Sequence, residues 1–269
     1  MRYTWSWWVE LAAPNPLKRA WAEDRTAFGV WSMMPDAFEA ELVAGTGYDY
    51  VCVDGQHGLA DFSSMVSIFQ SVRASGVAPL TRVLTNDAGL IGRVLDAGAL
   101  GVIVPLVNDT EEAARAVAAC RYPPEGMRSY GPVRAAEVIG SKATEDLVGE
   151  VLCFVMVETR EGLEMVEEIS ATPGLDGIYV GPADLAISLG LAPTLEITEK
   201  AHVEAVDRIR EACRERGIVC GIHCGSGEWA RKHAEAGFEV VTVATDVTML
   251  KKSARRELEI ARGGRAGTG

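Results

Sequence analysis

Apolar residues along this chain follow two alternating patterns. Short continuous runs, rich in β-branched residues, predict strands at 27–31, 48–54, 78–83, 101–107, 152–158, 177–181, 218–223 and 239–245. Unbroken apolarity marks strands buried on both faces of a parallel sheet. Between them, apolar residues recur at helical spacing. DFSSMVSIFQSVRAS and DTEEAARAVAAC each open with Asp near the N-cap, and SGEWARKHAEAG opens on Ser226 and closes on Gly237. Three segments repeat one form: LVAGTGYDYVCVD, VLDAGALGVIVP and HAEAGFEVVTVATD. Each is a helix end, a glycine that accepts the left-handed terminating conformation, and then a strand. Eight strand–helix alternations predict a (β/α)8 TIM barrel, in the α/β class. A doubly wound sheet is the rival. It usually needs a Gly-rich phosphate turn, and no G-x-G-x-x-G occurs. Residues 1–262 read as one barrel domain with an N-terminal extension, and 263–269 as a flexible Gly-rich tail.

Composition narrows the function classes. The 269 residues are 48% hydrophobic and 24% charged, enough for a large core. A net charge of −12 argues against nucleic acid as a partner. No apolar run approaches the roughly 18 residues of a membrane span. The N-terminal MRYTWSWWVELAAP has one basic residue, Arg2, and is broken by Glu10, so it reads as mature protein rather than a leader. Trp5, Trp7 and Trp8 pack either on a neighbouring subunit or on their own barrel. Six cysteines in predicted strands and helices read as reduced thiols of a cytoplasmic protein. CGIHC is not read as a metal site, because Cys220 and Cys224 share one strand face and His223 points to the other.

Barrel enzymes work at the C-terminal ends of their strands. There the sequence places Asp54, Gln56 and His57 after strand two, Arg82 after strand three, Glu158 after strand five and Asp184 after strand six. His223 and Asp246 end strands seven and eight. Glu158 and Asp184 lie on neighbouring strands, and two converging carboxylates suit a hard divalent cation. The alternative is that each caps a helix or pairs with an arginine. GPADL sets Pro182 in a first helical turn, with the amides of Ala183 and Asp184 free to meet a carboxylate. No lysine ends a predicted strand. A Schiff-base aldolase is therefore disfavoured, and carbonyl polarisation by a metal is the alternative. The long Pro-, Gly- and Arg-rich segment 121–142 reads as a functional loop.

The motifs FGVW, VDGQHG, PLTRV, LDAGALGVIVPLV, RYPPEGMRS, VMVETREG and YVGPADLAISLG together resemble the HpcH/HpaI aldolases over roughly residues 16–260. These are class II, metal-dependent pyruvate aldolases with a barrel of the phosphoenolpyruvate/pyruvate-binding type. The resemblance implies a divalent cation (Mg²⁺, Mn²⁺ or Co²⁺) held by Glu158 and Asp184. It implies that Arg82 binds pyruvate oxygens and steadies the enolate, that His57 serves as acid/base, and that Asp54 supports the network. The expected substrate site comprises Arg82, Gly181, Pro182, Ala183, Gln56 and Trp31. Asp96 contributes from a neighbouring subunit in some relatives. The expected partners are a small 2-oxo acid and an aldehyde, and further copies of the chain in a hexamer or trimer. The expected reaction is reversible cleavage of a 4-hydroxy-2-oxo acid to pyruvate and an aldehyde. An acyl-CoA lyase of the citrate-lyase-β type, using arginines of the 121–142 loop, is the rival enzyme. A non-catalytic 2-oxo-acid-binding barrel is the rival of another class. The chain departs from the family pattern at Gln56, where many relatives carry Glu, and at RVL, where many have Arg-x-Pro.

Overall fold

The structure, a computed structural model, describes residues 15–263. The Trp5, Trp7 and Trp8 group and the tail beyond Gly263 lie outside the described residues.

Eight strands form in the predicted order: β1 Ala27–Ser32, β2 Tyr50–Asp54, β3 Ala78–Arg82, β4 Gly101–Val104, β5 Leu152–Val157, β6 Gly177–Val180, β7 Val219–His223 and β8 Val240–Thr245. Each pairs in parallel with the next, and β8 pairs with β1 to close the barrel. The predicted helix starts are also present. Asp61 accepts the Ser64 amide at 2.8 Å, Asp109 that of Glu112 at 2.8 Å, and Ser226 that of Trp229 at 3.4 Å. The fourth strand is shorter than its apolar run suggests. Pro105 has no N–H to give the ladder, and Leu106 then turns at φ 54.

Strand alternation sorts the core into two layers. Val51, Val53, Val155, Val157, Ile178 and Val180 face outward and pack under the helices. Tyr50, Leu80, Ile103, Phe154, Met156 and Tyr179 fill the barrel. Cys220 and Cys224 belong to the outer layer, whereas His223 turns to the barrel mouth, so CGIHC divides as its alternation predicts.

Rings inside the barrel sit beside glycines on neighbouring strands. A Cβ on Gly177 would lie 2.7 Å from the Phe154 ring, and one on Gly221 would lie 2.6 Å from the Tyr179 ring. Gly29 stands against Tyr50 in the same way, still more tightly. The Tyr50 and Tyr179 hydroxyls both meet Thr242 Oγ1, at 2.8 and 2.5 Å, so the buried polar tips are satisfied. Gly29→Ala is therefore expected to cost about 1–3 kcal/mol through overpacking, read as a lower urea midpoint.

The last helix, Asp246–Ala261, leaves Leu250, Leu258 and Ile260 exposed. No helix among the described residues is long and apolar enough to cross a membrane.

Candidate active site

A cavity of about 200 Å³ opens where the strands end. Nine of the ten residues expected at the site line it: Trp31, Asp54, His57, Arg82, Glu158, Gly181, Pro182, Ala183 and Asp184. The tenth, Gln56, lies beside the cavity rather than in its wall. Its backbone N–H donates to Asp54 Oδ1 at 2.9 Å, and its side-chain oxygen is buried without a partner. Met33, Met156, Leu195, His223 and Thr245 complete the lining.

Asp54 and Arg82 face each other because β2 and β3 pair in register at these positions. Arg82 donates from Nε to Oδ1 at 3.0 Å and from Nη2 to Oδ2 at 2.5 Å. Oδ1 also accepts the His57 N–H at 3.1 Å. Burial alone would push the Asp54 carboxyl up. The Arg82 hydrogen bonds and charge outweigh burial and hold it below its usual range. Asp54 is wholly buried and its oxygens are engaged, so its role is to aim the guanidinium. Arg82 also lies over the Trp31 ring at 5.2 Å. Its Nη1 donates to no described residue.

Glu158 sits just past the end of β5 and is 2% exposed. Its Oε1 accepts the Leu106 N–H at 2.9 Å, an amide aimed by the left-handed turn after Pro105. Its Oε2 lies against Gly181, where any Cβ would collide with it. Burial first, and Asp184 nearby, push its carboxyl up to about 7, against the pull of the Leu106 amide and Arg82. Asp184 is exposed in the first turn of the helix Pro182–Ser188. Among the described residues neither acid makes an ion pair, and no three His, Cys, Asp or Glu side chains are arranged as a ready metal-binding group. The donor set is therefore two carboxylates with room for water and substrate oxygens. That fits a hard divalent cation and does not fit a closed structural site.

His223 is the principal residue that the sequence left unassigned. Its ring stands edge-on to Trp31, 5.1 Å between centroids. The alternation that separated it from the cysteines already pointed it into the barrel. Asp246 is used differently, as its Oδ2 accepts the N–H groups of Met33 and Met34 at 2.8 and 2.9 Å. It ties the β1 loop to β8 and does not line the cavity.

The 121–142 segment contributes no lining residue. Arg121 pairs with Asp176 at 2.8 Å, Arg128 with Asp96 at 2.7 Å, and Arg134 donates to the Ala97 carbonyl at 2.9 Å. Asp96 is thus held by Arg128 of its own chain.

The sequence profile of the HpcH/HpaI aldolase/citrate lyase family matches residues 27–253. The chain belongs to this family. A hydroxypyruvate/pyruvate aldolase of Rhizorhabdus wittichii is 38% identical over 252 residues, covering 92% of this chain and 99% of that protein. A 5-keto-4-deoxy-D-glucarate aldolase of Citrobacter koseri is 32% identical, covering 90% of this chain and 95% of that protein. Among solved structures, an HpcH/HpaI aldolase/citrate lyase family protein from Burkholderia cenocepacia superposes with a TM-score of 0.83 at 32% identity, covering 92% and 99% of the two chains. Likeness of this extent to aldolases makes this HpcH/HpaI chain a carbon–carbon lyase of the aldolase type.

Proposed function

We propose that the protein is a metal-dependent aldolase that reversibly cleaves a 4-hydroxy-2-oxo acid to an aldehyde and pyruvate, or a near analogue such as hydroxypyruvate. One observation carries this reading. Glu158 and Asp184 converge without a cationic partner on a cavity whose other charged wall is the buried Arg82. No lysine lines that cavity, so covalent carbonyl activation has no nucleophile there.

Glu158 and Asp184 hold the cation, Mg²⁺, Mn²⁺ or Co²⁺, which when bound supplies Lewis-acid polarisation of the keto group. Arg82, pinned by Asp54, presents a fixed positive charge to the enolate oxygen that develops as the carbon–carbon bond breaks. His57, exposed at the mouth, takes the proton from the C4 hydroxyl as the carbon–carbon bond breaks. It delivers that proton to C3 of the enolate to give pyruvate, and the reverse reaction runs the same transfers backwards. The backbone of Gly181–Ala183 and the Trp31 ring shape the pocket around the 2-oxo acid. Gln56, outside the wall, acts through the turn it shares with Asp54 and His57.

An acyl-CoA lyase is less well supported. Arg121 and Arg128, which would meet a nucleotide, are committed to Asp176 and Asp96. Exposed Met127, Tyr130 and Val133 on the same loop, with Leu250 and Leu258 on the last helix, favour contact with further copies of the chain. That supports a homo-oligomer, a hexamer or trimer, and the buried free thiols suit a cytoplasmic setting.

The test is enolisation alone. Incubated with pyruvate in deuterated water, the protein loaded with Mn²⁺ should exchange the C3 protons, and the metal-stripped protein should not. No exchange with Mg²⁺, Mn²⁺ or Co²⁺ overturns the proposal.

A further inference from the structure

We infer that His223 recognises a hydroxyl group carried by the substrate next to its reacting carbonyl, and so selects hydroxylated over deoxy substrates. The inference rests on the aldolase reading above and adds to it the chemistry of the substituent.

The cavity is lined by the charged side chains of Asp54, Arg82, Glu158 and Asp184, by His57, and by apolar Trp31, Met33, Met156 and Leu195. Two further polar side chains line it, His223 from β7 and Thr245 from β8. Thr245 is already engaged. Its Oγ1 caps the last helix, accepting the Thr248 N–H at 3.1 Å and meeting Thr248 Oγ1 at 2.8 Å. His223 hydrogen-bonds no described residue. Its ring is fixed edge-on to Trp31 at an interplanar angle of 86°.

The other buried histidines show what a core histidine looks like in this fold. Both ring nitrogens of His202, and Nε2 of His233, are sealed among side chains without a partner. The nitrogens of His223 are not sealed, and the residue is half-buried in the cavity wall. It therefore presents free hydrogen-bonding atoms to whatever fills the pocket.

The kind of group that fits follows from the imidazole's charge. Burial first, then the Arg82 charge, push it down to about 4, with Asp54 opposing. At neutral pH the ring is uncharged and carries one donor and one acceptor. A carboxylate or phosphate calls for a cation, which this ring does not supply. A hydroxyl both donates and accepts, and it matches a neutral imidazole at a partly apolar wall. The hydroxyl has two chemical sources, a 2-hydroxyaldehyde or a 3-hydroxy-2-oxo acid.

Competition experiments distinguish them, with the Mn²⁺-loaded protein. In one arm, pyruvate is offered equal glycolaldehyde and acetaldehyde. In the other, acetaldehyde is offered equal hydroxypyruvate and pyruvate. Each pair differs by one hydroxyl, and the product ratio cancels any loss common to both members. His223→Phe keeps the ring and its contact with Trp31 but removes the nitrogens. The hydroxyl preference is expected to fall about tenfold in one arm, the size of one neutral hydrogen bond. His223→Gln, which keeps a donor and an acceptor, should retain most of it. A fall in the first arm assigns the hydroxyl to the aldehyde, and a fall in the second assigns it to the 2-oxo acid. Unchanged ratios in both arms for His223→Phe overturn the inference, as does an equal fall in His223→Gln. His223→Leu gives the same reading if the Phe variant does not fold. Wild-type protein that exchanges no pyruvate protons refutes the aldolase reading itself, a result separable from either ratio.

Discussion

Glu158→Gln is expected to abolish metal-dependent turnover and, at pH 8 without metal, to make the protein more stable. The two effects have one cause. Glu158 is 2% exposed, and its carboxyl is pushed up to about 7 from an ordinary 4.5. Below about pH 4.5 both folded and unfolded chains hold the proton, and the group contributes no pH dependence. As pH rises from 4.5 to 7 the unfolded chain releases it more readily, so the folded state loses stability. Above 7 the full penalty applies, about 3 kcal/mol from the gap between the two values. Gln keeps the acceptor for the Leu106 amide and carries no charge. The metal-free variant should therefore melt several degrees higher at pH 8, at roughly 2–4 °C per kcal/mol, with the gain gone near pH 4.5. Mn²⁺ at a thousandfold excess over Kd reverses the order, because it stabilises only the wild type, by about 4.1 kcal/mol, which exceeds the penalty. Calorimetry with and without Mn²⁺, alongside pyruvate exchange, checks both halves. A variant that keeps exchange within about tenfold of wild type removes Glu158 from the ligand set.

Arg82→Met is expected to lower turnover about 10²–10³-fold, the usual effect of losing one group that stabilises developing negative charge. It should also cost about 3–5 kcal/mol of stability. Asp54 has no exposure and would keep only the amides of Gln56 and His57 as partners. A buried carboxylate stripped of its cation is worse than no carboxylate. The double variant Arg82→Met/Asp54→Asn should thus regain much of the stability and none of the activity. Urea midpoints of the two singles and the double close the cycle. Additive stability losses would show that the pair is not coupled, and full activity in the single would remove Arg82 from the reaction.

The barrel was legible because its signal is periodic. Eight unbroken apolar runs separated by capped helices leave few topologies open, and strand alternation then aims Asp54, Arg82 and Glu158 inward. The end of β4 was less legible, since GVIVPLV stays apolar while Pro105 interrupts the ladder. Past a strand end, alternation no longer fixes direction. Gln56 and His57 are adjacent in one turn, yet only His57 faces the cavity. Asp246 ends β8 as an acid should in a catalytic ring, but two loop amides hold it. Met33 and Leu195 reach the cavity from loops whose path depends on closure of the whole barrel. Membership of the family was carried by motifs, which record chemistry that periodicity does not.

The glycines beneath the site constrain how this sequence can drift. Gly29 with Tyr50 and Gly221 with Tyr179 each divide one fixed volume between two adjacent strands, whereas Gly177 is held small by the Val219 carbonyl as well as by the Phe154 ring and has no such exchange open to it. A lone enlargement of the glycine meets a ring, and a lone loss of the ring leaves a void. Change at the two pairs is therefore expected to proceed by paired substitution, so that relatives exchange the large and small members together. The cavity wall above is freer to vary one residue at a time. Descent would then leave correlated pairs in the floor of the barrel and independent variation around its mouth.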